Sequence, residues 1–235
     1  MYVRLKLTEA PIFIAALNKP KPKALPMMEV IVTHFKPFFL GMLICMAGYV
    51  LFYIMIAFSQ IYAKSAPTVS EAGYAMGLGF SPQIFTALLM CSAISLAITI
   101  AISGKYIDIV GRRIWLIWTT VGVALFGLVL PYFLENGTTL SLFWFLIIGM
   151  GLIGMGYGPL ASFLPELFPT HARYSGASLT YNIAGLFGAS VAAIIALPLN
   201  ANYGLKGVGI YLTLNAVLSL IGLWFITETR DRQLL

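Results

Sequence analysis

Long apolar runs separated by short polar segments dominate the sequence. Six of these runs are long enough to cross a bilayer as a helix, which rises 1.5 Å per residue. They cover residues 37–62, 82–102, 114–134, 140–164, 175–197 and 208–226. The pattern predicts an all-α integral membrane protein with six transmembrane helices, here numbered the first to the sixth span.

The polar segments divide the chain into three parts. Residues 1–36 are basic and punctuated by proline, as in Lys19-Pro20-Lys21-Pro22-Lys23, which predicts a solvated cytoplasmic linker. Residues 37–227 form the predicted six-helix bundle, and residues 228–235 form a charged cytoplasmic tail. The second and third spans are separated by the polar stretch 103–113, which predicts a short turn at the membrane surface.

Composition and charge support a membrane protein over a nucleic-acid-binding one. Of the 235 residues, 60% are hydrophobic and 9% are charged, whereas soluble domains carry about 25% charged residues. The formal net charge is +6, but the cations cluster beside the predicted spans on one side. We therefore expect a multi-pass protein of the plasma (inner) membrane with both termini cytoplasmic. Twelve of the 14 cations lie on that side: Arg4, Lys6, Lys19, Lys21, Lys23, Lys36, Lys105, Arg112, Arg113, Arg173, Arg230 and Arg232.

Small residues mark the fourth and fifth spans as central. Gly154 and Gly158 form a close-contact pattern on the fourth, and the fifth contains Gly185 and Gly188 among alanines and serines. Two interpretations stay open: close helix packing, or bending during a conformational cycle. The third and sixth spans are nearly all bulky and apolar, as a lipid-facing helix can be.

Polar side chains inside the spans are candidates for lining a solute pathway, because a hydroxyl or amide can hydrogen-bond a polar solute that an apolar wall excludes. Asn182 has two open interpretations, a lining role and a hydrogen bond between helices. The substrate-lining candidates are Tyr49, Tyr53, Gln60, Tyr157, Tyr181 and Asn182.

Ionisable and catalytic groups are scarce in the spans. No Asp, Glu, Lys, Arg or His lies in the interior of a predicted span, so the chain offers no evident proton carrier. We expect no cofactor, no metal site and no enzyme activity. A hydrolase is disfavoured because the sequence contains no Gly-x-Ser-x-Gly motif, and because His34 and His171 lie near the membrane surface. Cys45 and Cys91 are interpreted as packing residues within spans.

Three stretches resemble the C-terminal half of the metabolite:proton symporters of the major facilitator superfamily. The first resembles the exit from the sixth helix of a complete transporter, the second its signature loop, and the third its loop before helix eleven. They are residues 1–13 with Arg4-x-x-x-Thr8-Glu9-x-Pro11-x-Phe13, residues 104–113 with Gly104 and Gly111, and residues 165–182 with Pro165-Glu166-Leu167-Phe168-Pro169-Thr170, Arg173, Gly176 and Tyr181-Asn182.

The resemblance implies one half of the major facilitator fold, built from two inverted three-helix repeats, with residues 1–36 equivalent to the central loop. It implies a proton-coupled secondary transporter for small organic acids or zwitterionic metabolites. Its partners would be the solute, protons and the lipid bilayer, without nucleic acid. The family's first six helices are absent, so we expect an N-terminal six-helix half or a second copy to complete the pathway. The alternative is a non-transporting truncated or split-gene product.

The resemblance also implies a conformational charge network at the cytoplasmic face. The signature loop departs from the family at Ile109, where a cation is common. In the competing interpretation, Arg112 and Arg113 face only water and lipid phosphates, as the positive-inside rule allows. The expected network comprises Asp108, Arg112, Arg113, Glu166 and Arg173.

Overall fold

The computed structural model describes residues 26–228. The predicted contributions of residues 1–25 and 229–235, including most of the linker and of the tail, lie outside the described residues. The described chain forms helices at Pro26–Thr33, Phe35–Tyr53, Ser59–Lys64, Pro82–Val110, Arg112–Glu135, Thr139–Glu166, Arg173–Gly185 and Val191–Phe225, with π-helical turns at Ile54–Phe58 and Leu186–Ser190.

Six membrane crossings are confirmed, and five helical stretches account for them because the last stretch crosses twice. The last helical stretch, Arg173–Phe225, contains a sharp break at Gly204, whose φ of +68° is readily adopted only by glycine. At this end of the bundle the Asn200 side chain donates to the carbonyl of Ala75. The carbonyl of Trp224 accepts a hydrogen bond from Arg113 at the other end. The chain therefore crosses twice, as the fifth span (residues 173–203) and the sixth (205–225).

The polar stretch 103–113 is not the predicted turn. The second span stays helical to Val110 and the third begins at Arg112. Gly111 alone departs from helical geometry, with a φ of +100°. A 29-residue helix is about 43 Å long, which exceeds the hydrocarbon thickness of about 30 Å. The polar residues therefore form helical turns beyond the membrane core, where the helix satisfies their backbone groups.

The main contacts between spans join the first three spans to the last three. The second packs on the fourth, the fifth on the first, and the third on the sixth. The expectation that the third span faces lipid is correct only in part. Trp118 is 71% exposed. Of the 18 residues that form the most apolar part of the third span, however, 44% are buried, against 11% for the second span. The buried share comes from contacts with the fourth and sixth spans.

Candidate functional site

A mostly apolar cavity of about 270 Å³ lies among the first five spans. Its polar lining groups are the hydroxyls of Tyr49, Tyr157 and Tyr181, together with Thr119 and Thr120. None of its lining residues is an Asp, Glu, Lys, Arg or His. The cavity therefore offers hydroxyl groups in apolar walls, an environment that can orient an uncharged or internally neutralised solute.

The first and fifth spans meet at an aromatic pair beside this cavity. The rings of Tyr49 and Tyr181 lie 4.9 Å apart, centroid to centroid, at an angle of 49°. Gly185 and Gly188 leave room for Tyr49: a Cβ at Gly185 would lie 3.1 Å from the Cζ atom of that ring. We name Tyr49, Tyr181, Gly185 and Gly188 the first–fifth contact. Each of the two spans also contains a π-helical turn, a feature that often occurs at functional sites.

A second cleft of about 520 Å³ lies between the fourth and fifth spans. It shares Tyr157, Leu160 and Tyr181 with the first cavity, so the two are contiguous. Arg173 is the one charged residue in its lining, which also includes Thr170 and Ser178. The Nε atom of Arg173 is buried and has no hydrogen-bond partner in the described part of the chain.

The remaining predicted lining residues lie apart from these cavities. Tyr53 donates to the carbonyl of Ala193 across the first and fifth spans at 3.4 Å. Gln60 lies in a shallow depression near Lys64, at the opposite end of the first span. The amide of Asn182 donates to the carbonyl of Ser178, one turn earlier in its own helix, at 2.8 Å. Asn182 is absent from the lining of all three depressions.

The structure brings three residues of the expected charge network together. The Arg112 guanidinium lies 2.9 Å from the Glu166 carboxylate and 3.2 Å from that of Asp108. The Glu166 side chain is 17% exposed and that of Asp108 is 70% exposed. Arg113 instead donates to the carbonyls of Leu223 and Trp224. No ion pair joins Arg173 to these groups within the described chain.

Glu228, predicted to belong to the cytoplasmic tail, instead contacts the start of the third span. Its carboxylate accepts hydrogen bonds from the backbone N–H groups of Arg112 and Arg113, at 3.1 and 3.0 Å. It therefore satisfies free donors at the start of the third span. Gly111 permits the approach, since a Cβ there would lie 2.9 Å from the Glu228 carboxylate, whereas Gly104 lies within the second helix and faces open space. An acid just after the last apolar run was the available signal.

Glycines of the fourth span allow the second span to pack against it closely. A Cβ on Gly154 would lie 2.6 Å from the Leu96 carbonyl, and the Ser95 hydroxyl donates across the contact to the carbonyl of Ile147 at 3.0 Å. The packing interpretation of these glycines is thereby supported. We name the residues that meet there the second–fourth contact: Ser95, Leu96, Thr99 and Ser103 against Gly151, Gly154 and Gly158.

The six crossings, the two contiguous cavities and the scarcity of charge in the spans define a polytopic α-helical membrane protein of the transporter class. Comparison with known sequences agrees. The sequence profile of the family "Sugar (and other) transporter" matches residues 74–235, which is more than half of the chain. The chain therefore belongs to this transporter family of the major facilitator superfamily.

The individual relatives are about twice as long as this chain. The chain is 89% identical over 234 residues to a Haemophilus influenzae protein described as a "putative metabolite transport protein", covering 100% of the chain and 52% of that relative. It is 37% identical to the inner membrane metabolite transport protein YhjE of Escherichia coli, again over 100% of the chain and 52% of the relative. The Dickeya dadantii glycine betaine/proline/ectoine/pipecolic acid transporter OusA is 25% identical, with 100% and 46% covered.

The chain thus spans about half the length of the curated relatives it matches. No solved structure matches the chain.

Proposed function

We propose that this chain is the C-terminal half of a secondary transporter that moves small organic acids or zwitterionic metabolites by alternating access. The observation that carries the proposal is that the two cavities adjoin. One contains the tyrosine hydroxyls, the other leads to Arg173, and they share Tyr157 and Tyr181. A solute entering between the fourth and fifth spans would meet both sets of polar groups.

The single cation in the cleft favours solutes that carry a carboxylate. A guanidinium presents several N–H donors in a fixed fork that fits a carboxylate, and none of the cleft's lining residues is acidic. Organic acids and zwitterions such as betaines share this group. Several relatives are named for proline, betaine or ectoine transport, which agrees with the proposed class.

A second six-span body would complete the pathway. The second span contributes little to the core, and Met90, Ile94 and Ile98 on it are each more than half exposed. Such a face can pack against lipid or against another helical half. We expect the coupled proton to be carried by that other half, because neither cavity is lined by Asp, Glu or His.

We also propose an inner-membrane location with the Arg112 end of the bundle facing the cytoplasm. The cations at that end include Lys105, Arg112 and Arg173, while Lys64 and Lys206 lie near the opposite end, as the positive-inside rule requires. Reaction of a cysteine placed at Lys105 with an impermeant thiol reagent in intact cells would contradict this orientation.

Co-expression tests the half-transporter. The chain would be produced with and without the N-terminal half of the 89% identical Haemophilus influenzae relative, purified by a tag on that half and reconstituted. We expect co-purification, and uptake of proline, glycine betaine or succinate under a proton gradient only when both halves are present. Equal uptake by the chain alone, or a stable complex that transports none of these probes, would contradict the proposal. Failure to co-purify would favour a non-transporting product.

A further inference from the structure

Three potential metal ligands converge at the Arg112 end of the bundle, and none of them lines either cavity. Glu29 lies on the short helix Pro26–Thr33, His34 occupies the break before the first span, and His171 lies in the turn after the fourth span. The Nε2 atom of His171 is 2.8 Å from a carboxylate oxygen of Glu29. One ligand atom from each residue lies within 4.8 Å of the other two.

We propose that Glu29, His34 and His171 form a binding site for a divalent transition metal ion, with Zn²⁺ as its probe. Two imidazoles and a carboxylate are a donor set that zinc uses with one position left for water. Around a tetrahedral Zn²⁺ with bonds of about 2.0–2.1 Å, ligand atoms stand about 3.4 Å apart. The present separations, 2.8 Å between Glu29 and His171 and at most 4.8 Å for any pair, bracket that value.

Access and charge also suit a metal ion. The His171 side chain is 53% exposed, whereas the Glu29 side chain is 19% exposed, so an ion can enter at His171 and be held by a largely buried carboxylate. In the existing contact, Glu29 and His171 share a hydrogen bond. A metal ion would take the place of that shared proton and bind the carboxylate and the imidazole nitrogen directly.

Occupancy would add a metal link among three segments that already pack around the buried side chain of Val30. The His34 backbone, at φ −118° and ψ 35°, leaves the helical region between the short helix and the first span. A metal held by His34 and Glu29 fixes that break, and His171 links it to the turn between Glu166 and Arg173. The site would therefore restrain the connection between the spans that flank the cleft.

Isothermal titration of the purified, chelator-treated chain in detergent tests the site. We expect one Zn²⁺ per chain, and binding at least tenfold weaker in Glu29→Gln, His34→Gln and His171→Gln. The matched control is Glu71→Gln, which changes an exposed acid in the loop after the first span. No saturable binding, or binding unchanged by the histidine variants, would overturn the proposal. Loss with Glu29→Gln and His171→Gln but not with His34→Gln would show a two-residue pair and overturn the three-ligand site.

A second measurement does not depend on the variants folding. His34 and His171 are the two histidines of the sequence, so modification of the wild-type chain by diethylpyrocarbonate reports on both. We expect Zn²⁺ to protect both histidines equally, with protection lost when a chelator removes the metal. Protection of His171 alone, or of neither, would contradict joint ligation.

Discussion

The second–fourth and first–fifth contacts each join a span of one three-span repeat to a span of the other, at corresponding places, yet they are built differently. In the second–fourth contact, glycines bring backbones together, and the Ser103 hydroxyl reaches the carbonyl of Gly154. In the first–fifth contact, Gly188 also approaches the first span, with a Cβ there 3.2 Å from the Met46 carbonyl, but two tyrosine rings fill the contact beside it and border the cavity. The difference suggests that one of these two contacts between the repeats is closed and rigid, while the other is open to a solute.

The same asymmetry extends to the ends of the spans. The fourth span ends at Glu166, which is held by Arg112 of the third. The fifth span begins at Arg173, which lines the cleft and makes no ion pair within the described chain. The fourth span has little freedom, because its end is anchored and its glycines pack in the second–fourth contact. The fifth span has a π-helical turn and a mostly aromatic contact. The fifth is therefore our candidate for the mobile span.

The largest expected effect comes from filling the second–fourth contact. Gly154→Ala places a methyl group 2.6 Å from the Leu96 carbonyl, and because backbone cannot yield easily, we expect destabilisation of about 3 kcal/mol or more. The control is Gly156→Ala on the same helix, where the nearest atom lies 3.7 Å away. Unfolding of both variants in mixed micelles measures the difference. Equal stability of the two variants would show that the second–fourth contact is not tightly packed at Gly154.

An intermediate effect is expected at the anchored end. Glu166→Gln removes the charge partner of Arg112 in a pair whose side chains are 15% and 17% exposed, so we expect a loss of about 1–3 kcal/mol. Asp108→Asn should cost about 0–1 kcal/mol, because Asp108 is largely exposed.

A double-mutant cycle with Arg112→Gln measures the coupling at this end. Non-additive losses are expected for Glu166, and near-additive ones for Arg173→Gln. Strong coupling of Arg112 to Arg173 would remove the distinction between the two spans.

A smaller effect is expected at the first–fifth contact. Gly185→Ala puts a methyl group 3.1 Å from the Tyr49 ring, which is a side chain that can rotate toward the cavity. We expect a change in the free energy of unfolding below about 1 kcal/mol. If Gly185→Ala destabilises the chain as much as Gly154→Ala does, the first–fifth contact is as rigid as its counterpart.

The smallest stability effect belongs to the tyrosine hydroxyls. Tyr181→Phe keeps the ring contact with Tyr49 and removes a polar group from both cavities, so the unfolding free energy should change by about 0.5 kcal/mol or less. Uptake by the two co-expressed halves should show a severalfold higher KM. Tyr132→Phe, which changes a tyrosine outside the cavities, serves as the control. Unchanged kinetics for Tyr181→Phe would exclude its hydroxyl from the pathway.

The sequence was sufficient for the membrane class and the six crossings, because apolar run length depends directly on bilayer thickness. It also indicated the close packing of Gly154. It did not reveal the helix through residues 103–110, since polar composition marks the membrane surface without excluding helix. Among the predicted lining residues, only Tyr49, Tyr157 and Tyr181 reach the two main cavities.

Spacing along one helix could not separate these three from Tyr53 or Asn182, because lining depends on how neighbouring spans are rotated about their axes. Contacts between distant segments were equally hidden. Glu228 at the start of the third span and the cluster of Glu29 with His171 join residues whose proximity arises only on folding.

Thiol accessibility tests the contrast between the closed second–fourth contact and the open side of the fifth span most directly. In a background with Cys45→Ala and Cys91→Ala, Ser178→Cys places a thiol in the cleft beside Arg173, and Ser92→Cys places one at a fully buried position of the second span. We expect an anionic, membrane-impermeant methanethiosulfonate to modify Ser178→Cys in inside-out vesicles, faster than its cationic analogue, and to leave Ser92→Cys unmodified. Arg173→Gln should remove the preference for the anionic reagent. Protection of both thiols would contradict an aqueous pathway beside the fifth span. Equal reaction of both would contradict close packing of the second span against the fourth.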